Sequence, residues 1–459
     1  MNPVEQVEQA EPTRVQVGPS PARILWVVAL LVSFLISAVA AFRGGYVGPD
    51  YNRHLAQIVD STRLFDFSTP DPPLYILLSH GLFRVIGRSN AFPITLAILQ
   101  VAINTVALWY FFRFSERCFK SPVLHLALAF FLTFLPVRMI HSETLGTDWM
   151  TIPVFVLVII CFDRLISKET TQPKDAVWLG LALALGIWSK YSFMALLPAI
   201  FVILVIFWWK RKWPLMRFVM IAGLSLVPPT ALLGESYLES ARLKEANARS
   251  IWLKKGEAPD MDFKDILSLK KVDLQLFKAP EYFKKEILAA HKHSYLALSH
   301  MGTFTDTMNL FQYLTVPQHI EIPLIPDQKA RHAWKTPVMV ASMSLGLIWT
   351  LLALIATPWA LFRALRNLLQ RGALEREDSS ILMGFTYFLL MYLPIPFVIC
   401  GALFGYWTPR LILPCLFSFF LAAFLLIDRA TGNSGGKIAA RIVMVLVVIQ
   451  CAIEIVMLT

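Results

Sequence analysis

Residues 337–362 read PVMVASMSLGLIWTLLALIATPWALF, twenty-six consecutive positions without a charged side chain. An apolar run of roughly 20 residues is what a helix needs to cross the hydrocarbon core of a bilayer, and a soluble core helix has no use for one that is apolar all round. Residues 23–42 and 91–112 repeat the pattern. Over the whole chain of 459 residues, 56% are hydrophobic and only 16% are charged, too few to clothe a water-soluble surface of this size. The expected fold class is therefore an all-α polytopic membrane protein.

The net charge of +11 is not spread evenly. Lys and Arg concentrate in short loops between the apolar runs, at residues 113–120, 164–174, 210–217, 363–376 and 429–441. Such loops carry orientation information, since basic residues are retained on the cytoplasmic side. No nucleic-acid partner is expected. Arg14 and Arg23 place the N-terminus on the same side.

One conflict arises between Pro72 and Phe112, which hold two apolar runs. If both crossed, every later loop would invert. Residues 73–87 form a run of only about 15 residues with Arg84 near its end, a length typical of interfacial helices. They are expected to lie on the outer surface, and residues 91–112 to make the second crossing. Carried to the end of the chain, this gives about 11 transmembrane helices. The expected domains are a disordered cytoplasmic tail over 1–22 and an N-terminal transmembrane module over 23–234, with a first outer loop at 43–90. An outer segment follows over 235–336, helix-like at 280–298, and then the C-terminal transmembrane helices over 337–459. The run after Arg23 has no small-residue cleavage site and is expected to stay as a helix. Cys118, Cys161, Cys400, Cys415 and Cys451 lie in or beside apolar runs without metal-binding or disulfide spacing, as small core residues would.

Polar residues on the outer side are the candidates for chemistry. In the first outer loop, Gly48-Pro49-Asp50 precedes a stretch in which Leu55, Ile58, Val59 and Phe65 recur at helical spacing. This reads as an amphipathic surface helix starting just after Asp50, and capping alone accounts for an Asp at that place. The second outer loop, Ile140 to Asp148, includes His141, Glu143 and Asp148. A carboxylate at the start of a helix is favoured electrostatically. Ionisable groups at membrane depth are also costly and tend to mark sites. Lys190 and Arg410 interrupt apolar sequence among aromatic neighbours. Snorkelling to headgroups explains such cations, and so does a bound phosphate, for which the planar fork of Arg is well suited. Arg138 is a third cation of this kind. His291, His293 and His300 read as surface histidines. There is no phosphate-binding glycine loop, no dinucleotide motif and no Ser-His-Asp pattern, so soluble nucleotide donors are not indicated.

Taken together, these motifs resemble the GT-C class of membrane glycosyltransferases, in particular the branch with the protein O-mannosyltransferases and the lipid A aminoarabinose transferase. The likeness rests on Asp50 in the first outer loop and on Asp71-Pro72-Pro73-Leu74-Tyr75, leading into a short amphipathic helix that ends in Phe-x-x-x-Gly at Phe83 to Gly87. It continues with Glu143 and Asp148 in the second acidic loop, with Lys190-Tyr191, and with Pro409-Arg410 through Pro414. It covers roughly the first 200 residues and the late arginine motif. The chain departs from the pattern at Tyr51, where many members have Glu, and at Asp71, where many have His or Lys.

The resemblance implies a GT-C fold and an inverting transferase that moves a sugar from a polyprenyl-phosphate carrier to an acceptor on the outer face. Asp50 is then the expected general base, with Glu143 and Asp148 orienting the acceptor. Lys190, Arg410 and Arg138 are the expected donor-phosphate ligands, and Tyr51, His141 and Tyr75 the expected substrate contacts. A divalent cation, Mg or Mn, on Asp50 and Asp148 is the one cofactor this pattern admits. The partners are the lipid-linked donor, membrane lipids and a lipid, polysaccharide or protein acceptor, and the place is the bacterial inner membrane with the site on the periplasmic face. The alternative is a secondary transporter or lipid flippase, in which Pro228-Pro229 and Pro394-Ile395-Pro396 break two spans and intramembrane charges line a pathway.

Overall fold

A computed structural model of the chain describes residues 20–44, 51–60, 73–89, 91–167, 172–246, 271, 274, 295–305, 335–392, 413–430 and 434–458. The described residues are helical, with no strand among them. The first surface elements follow α1 (Pro21–Phe42): α2 (Tyr51–Asp60) and α3 (Pro73–Ile86). Then come α4 (Ala91–Ser115), α5 (Pro122–Phe134), α6 (Pro136–Glu143), α7 (Thr151–Ser167), α8 (Pro173–Ser189), α9 (Leu196–Lys210) and α10 (Leu215–Ala246). The later helices are α11 (Tyr295–Phe304), α12 (Lys335–Arg371), α13 (Arg376–Tyr392), α14 (Leu413–Ala430) and α15 (Ser434–Leu458). Most of the expected outer segment, including His291 and His293, lies outside the described residues, as does Cys400.

Seven of the described helical stretches are long and apolar enough to cross a membrane, and an eighth is the pair α5 and α6, bent by 47°. The three remaining expected spans coincide with α8, α10 and α13. The bend has a local cause. Pro136 removes a backbone donor and its ring cannot follow the preceding turn, so the helix stops at Phe134 and restarts at Pro136.

The charged loops are tied to one another. Arg23 pairs with Glu116 at 3.0 Å, and Asp428 accepts from the backbone N–H groups of Lys120 and Ser121 at 2.9 and 2.8 Å. Arg429 and Arg363 share Glu377, Arg363 also reaches Asp378 at 2.8 Å, and Arg376 pairs with Asp163 at 3.4 Å. Arg211 donates to the carbonyls of Gly372 at 3.0 Å and Ile166 at 2.9 Å. The start of α1 and all five basic loops thus lie at one end of the bundle. An even number of crossings must separate Arg23 from Glu116, and α1 and α4 supply them. By parity α3 does not cross.

Helix pairs close on small residues, as membrane packing favours. α8 lies against α10 at Gly180, where an added Cβ would stand 2.2 Å from the Leu224 carbonyl oxygen. That carbonyl is one whose helical donor is missing, because its partner four residues on is Pro228. α10 runs through Pro228 and Pro229 without the break that the alternative transporter reading invoked there. The neighbouring helix covers the freed carbonyl, which is the usual way such prolines are tolerated in a membrane. His300, expected on the surface, is buried instead. Its ring bonds the Thr350 hydroxyl at 2.8 Å and the Met343 carbonyl at 3.1 Å, linking α11 to α12.

Candidate active site

At the end opposite the basic loops, two short connections meet. α8 stops at Ser189, and Lys190 follows with an extended backbone (φ −162°, ψ 124°). Its Nζ forms an ion pair with Oδ1 of Asp148, and the two side chains are only 13% and 14% exposed. Asp148 opens the 3-10 turn Asp148–Met150 that leads into α7, and the Thr151 hydroxyl donates to its carbonyl at 2.7 Å. The pair offsets the desolvation cost that a sheltered charge bears without an opposite partner.

The loop carrying Asp148 is pinned from α4 by two buried amides. Asn104 donates to the Trp149 carbonyl at 3.1 Å. Gln100, with its amide turned to satisfy both neighbours, donates to the Thr144 carbonyl and accepts from the Trp149 indole, each at 3.1 Å. Neither residue was expected in the site, although two amides four apart on an apolar helix are a readable signal, because intramembrane polar groups need partners.

The surface helices cover the loop. Tyr75, fully buried on α3, takes the His54 ring edge-on at a centroid distance of 5.3 Å. His54 in turn lies over Gly146, where an added Cβ would be 3.6 Å from the imidazole. His80 fixes α3 to α2. Arg84 donates to its Nε2 at 3.0 Å, so Nδ1 carries the proton and donates to the Ile58 carbonyl at 2.8 Å. His54 too is absent from the expected set.

The expected site residues therefore divide. Asp148, Lys190 and Tyr75 converge at one end, and His141 and Glu143 close α6 just before the same loop. Arg138, five residues before Glu143 on the same helix, makes its hydrogen bonds at the bend. It is 1% exposed at the bend between α5 and α6, donating to Ser33 Oγ at 2.5 Å and to the Thr133 carbonyl, which Ser33 also reaches at 3.3 Å. In that position it satisfies a carbonyl opened by the bend. Asp50 and Arg410 lie outside the described residues, as does the side chain of Tyr51. Among the described residues no group of three His, Cys, Asp or Glu is arranged to hold a metal ion. Of the two expected cation ligands, Asp148 is paired with Lys190 and Asp50 lies outside the described residues.

Residues 70–232 match the family described as dolichyl-phosphate-mannose-protein mannosyltransferase. The match spans about a third of the chain and contains Tyr75, Arg138, His141, Glu143, Asp148 and Lys190. The apo crystal structure of the Archaeoglobus fulgidus oligosaccharyltransferase is similar at 10% identity and a TM-score of 0.47, covering 94% of this chain. The chain spans about half, 56%, of the length of that enzyme. No curated protein matches the sequence. The likeness to the protein O-mannosyltransferases read from the sequence agrees with the family match over residues 70–232, and the described helices are those of a multi-pass membrane protein.

Proposed function

We propose that the protein is an inverting transferase that moves a sugar from a polyprenyl-phosphate carrier to an acceptor hydroxyl on the outer face of a bacterial inner membrane. The observation that carries this reading is the sheltered Lys190–Asp148 pair at the end of the bundle opposite the basic loops. The positive-inside rule turns that end toward the periplasm.

In the reaction the acceptor oxygen attacks the anomeric carbon as the bond from that carbon to the carrier phosphate oxygen breaks. The acceptor proton passes to Asp50, and the electron pair leaves on the lipid phosphate. Charge grows on that phosphate in the transition state, and fixed cations there give the largest stabilisation available to such a site. Lys190 is the cation of the N-terminal module, and Arg410 the second. Before the donor arrives, Lys190 is neutralised by Asp148. A phosphate that takes over the ammonium releases Asp148 to accept a hydrogen bond from the acceptor hydroxyl, with Glu143 beside it. Donor binding thereby prepares the acceptor subsite, which limits wasteful hydrolysis. Tyr51, Tyr75 and His141 are the proposed sugar and acceptor contacts.

The test is release of polyprenyl phosphate from lipid-linked hexoses and pentoses by the protein in proteoliposomes. Asp50→Asn is expected to lower turnover at least about a hundredfold, the usual range for losing a general base. Asp50→Asn with unchanged turnover would falsify the base assignment, because an amide cannot take the proton.

A further inference from the structure

The extended residue Lys190 needs something to hold it, because the chain around it has left regular helix. Within its own module the turn is closed by the Lys190 N–H on the Gly186 carbonyl at 2.8 Å and by the Phe193 N–H on the Lys190 carbonyl at 3.0 Å. Phe193 packs so closely over Gly186 that a Cβ there would lie 2.9 Å from its ring. These contacts fix the two flanks of Lys190. The following 3-10 turn, Tyr191–Ala195, has no side-chain cap hydrogen bond from Lys190.

A side-chain anchor comes from the other half of the protein. Tyr387, on α13, is fully buried, and its hydroxyl lies 2.6 Å from Ser192 Oγ, two residues after Lys190. Its ring is held edge-on by Phe155 of α7 at 6.1 Å and packed on Phe193 at 5.7 Å. Phe155 belongs to the helix that Asp148 opens, and Phe193 to the turn that Lys190 opens. One side chain thus touches the elements carrying both members of the ion pair, 195 residues from Ser192 in sequence and outside the matched span of 70–232. A tyrosine on an apolar helix has no need of so exact a hydroxyl partner for packing alone, since phenylalanine fills the same space without a polar group to satisfy.

We infer that Tyr387 is a positioning residue that sets Lys190 through Ser192, so that the catalytic end is completed by the C-terminal helices and not by the N-terminal module alone. The inference rests on the transferase reading for its kinetic consequence, and on geometry alone for the clasp. The hydroxyl pair fixes the register of the 3-10 turn. Without it the turn loosens, and the ammonium samples positions away from the carrier phosphate.

Tyr387→Phe keeps the ring and removes only the hydroxyl, and Ser192→Ala removes the partner. Hydrogen exchange on the full-length protein in detergent reads the clasp directly. Both variants are expected to raise exchange at residues 190–195 by about tenfold while residues 151–167 stay as in the wild type. Unchanged exchange at 190–195 in Tyr387→Phe overturns the inference whatever the activity. In the transfer assay, Tyr387→Phe is expected to lower kcat/KM for the lipid-linked donor about tenfold. Added to Lys190→Ala it should cost nothing more, because its effect passes through that lysine. A full multiplicative loss in the double variant contradicts the positioning role. A wild type that releases no polyprenyl phosphate sinks the transferase reading instead, and leaves the exchange result to decide the clasp.

Discussion

Lys190 and Asp148 form an ion pair across 42 residues of sequence, at the point where α8 ends and α7 begins, with both side chains mostly withdrawn from solvent. Lys190 was marked as a charge interrupting apolar sequence, and Asp148 as a carboxylate of a polar loop at the start of a helix. Their meeting converts two ambiguous residues into one site.

Removing one partner leaves the other charge sheltered and uncompensated. Lys190→Met and Asp148→Asn are each expected to cost about 2 kcal/mol of stability, less than a fully buried pair because both side chains keep some solvent. The double variant should recover most of that loss in a thermal-shift measurement in detergent, and should remain inactive. Additive destabilisation in the double variant contradicts the pairing.

The parity argument fixes the first outer loop. Arg43→Cys and Ser89→Cys, in a background without native cysteines, flank α2 and α3 and are both expected to react with an impermeant maleimide added from the same side of the membrane. Arg117→Cys should react only from the other side. Labelling of positions 43 and 89 from opposite faces would mean that α3 crosses, and that the Arg23–Glu116 pair is misplaced.

Gly180 tests the packing. A side chain there must displace the Leu224 carbonyl, which stands 2.2 Å from an ideal Cβ. Gly180→Val is expected to destabilise by about 3 kcal/mol, within the range for overpacking a close interface. Gly223→Val, on α10 beside Leu224 but with open space around its Cβ, should cost little or nothing, because valine is a better helix former than glycine. Equal losses at the two positions would show that α8 and α10 do not close at Gly180.

Cys118 gives a pH signature at the basic end. Burial, then the nearby Glu377 carboxylate, holds its thiol well above the usual thiol range. The thiolate is the reactive form, so at pH 7 alkylation should be slower than for a free cysteine. Its rate should rise about tenfold per pH unit up to the raised value instead of levelling near the ordinary thiol pKa of about 8.5. A plateau near that ordinary value, followed by mass spectrometry of the labelled peptide, would contradict the burial of Cys118.

The apolar spans and the gathering of the basic loops at one end were readable in the sequence because they follow from local quantities, apolar length and the placement of Lys and Arg. Arg138 was not, because its partners Ser33 and the Thr133 carbonyl are brought to it by a bend whose geometry a sequence does not state. As a lone cation in an apolar run it looked no different from Lys190. His300 misled in the same way, since it was read together with the polar cluster His291-Lys292-His293 while its partners lie on α12. Tyr387 stood out even less. Tyrosine in a transmembrane helix ordinarily reaches for headgroups, and only the approach of α13 to the turn after Lys190 gives it another purpose.

The central claim is that a carrier phosphate occupies the end of the bundle marked by Lys190. Native mass spectrometry of the protein released from membranes in mild detergent tests it most directly. A co-purified polyprenyl phosphate, present in the wild type and lost in both Lys190→Ala and Arg410→Ala, is the predicted result, and its sugar-bearing form would identify the donor. Only ordinary phospholipids, bound equally by the wild type and both variants, would contradict the phosphate role and point to a transporter.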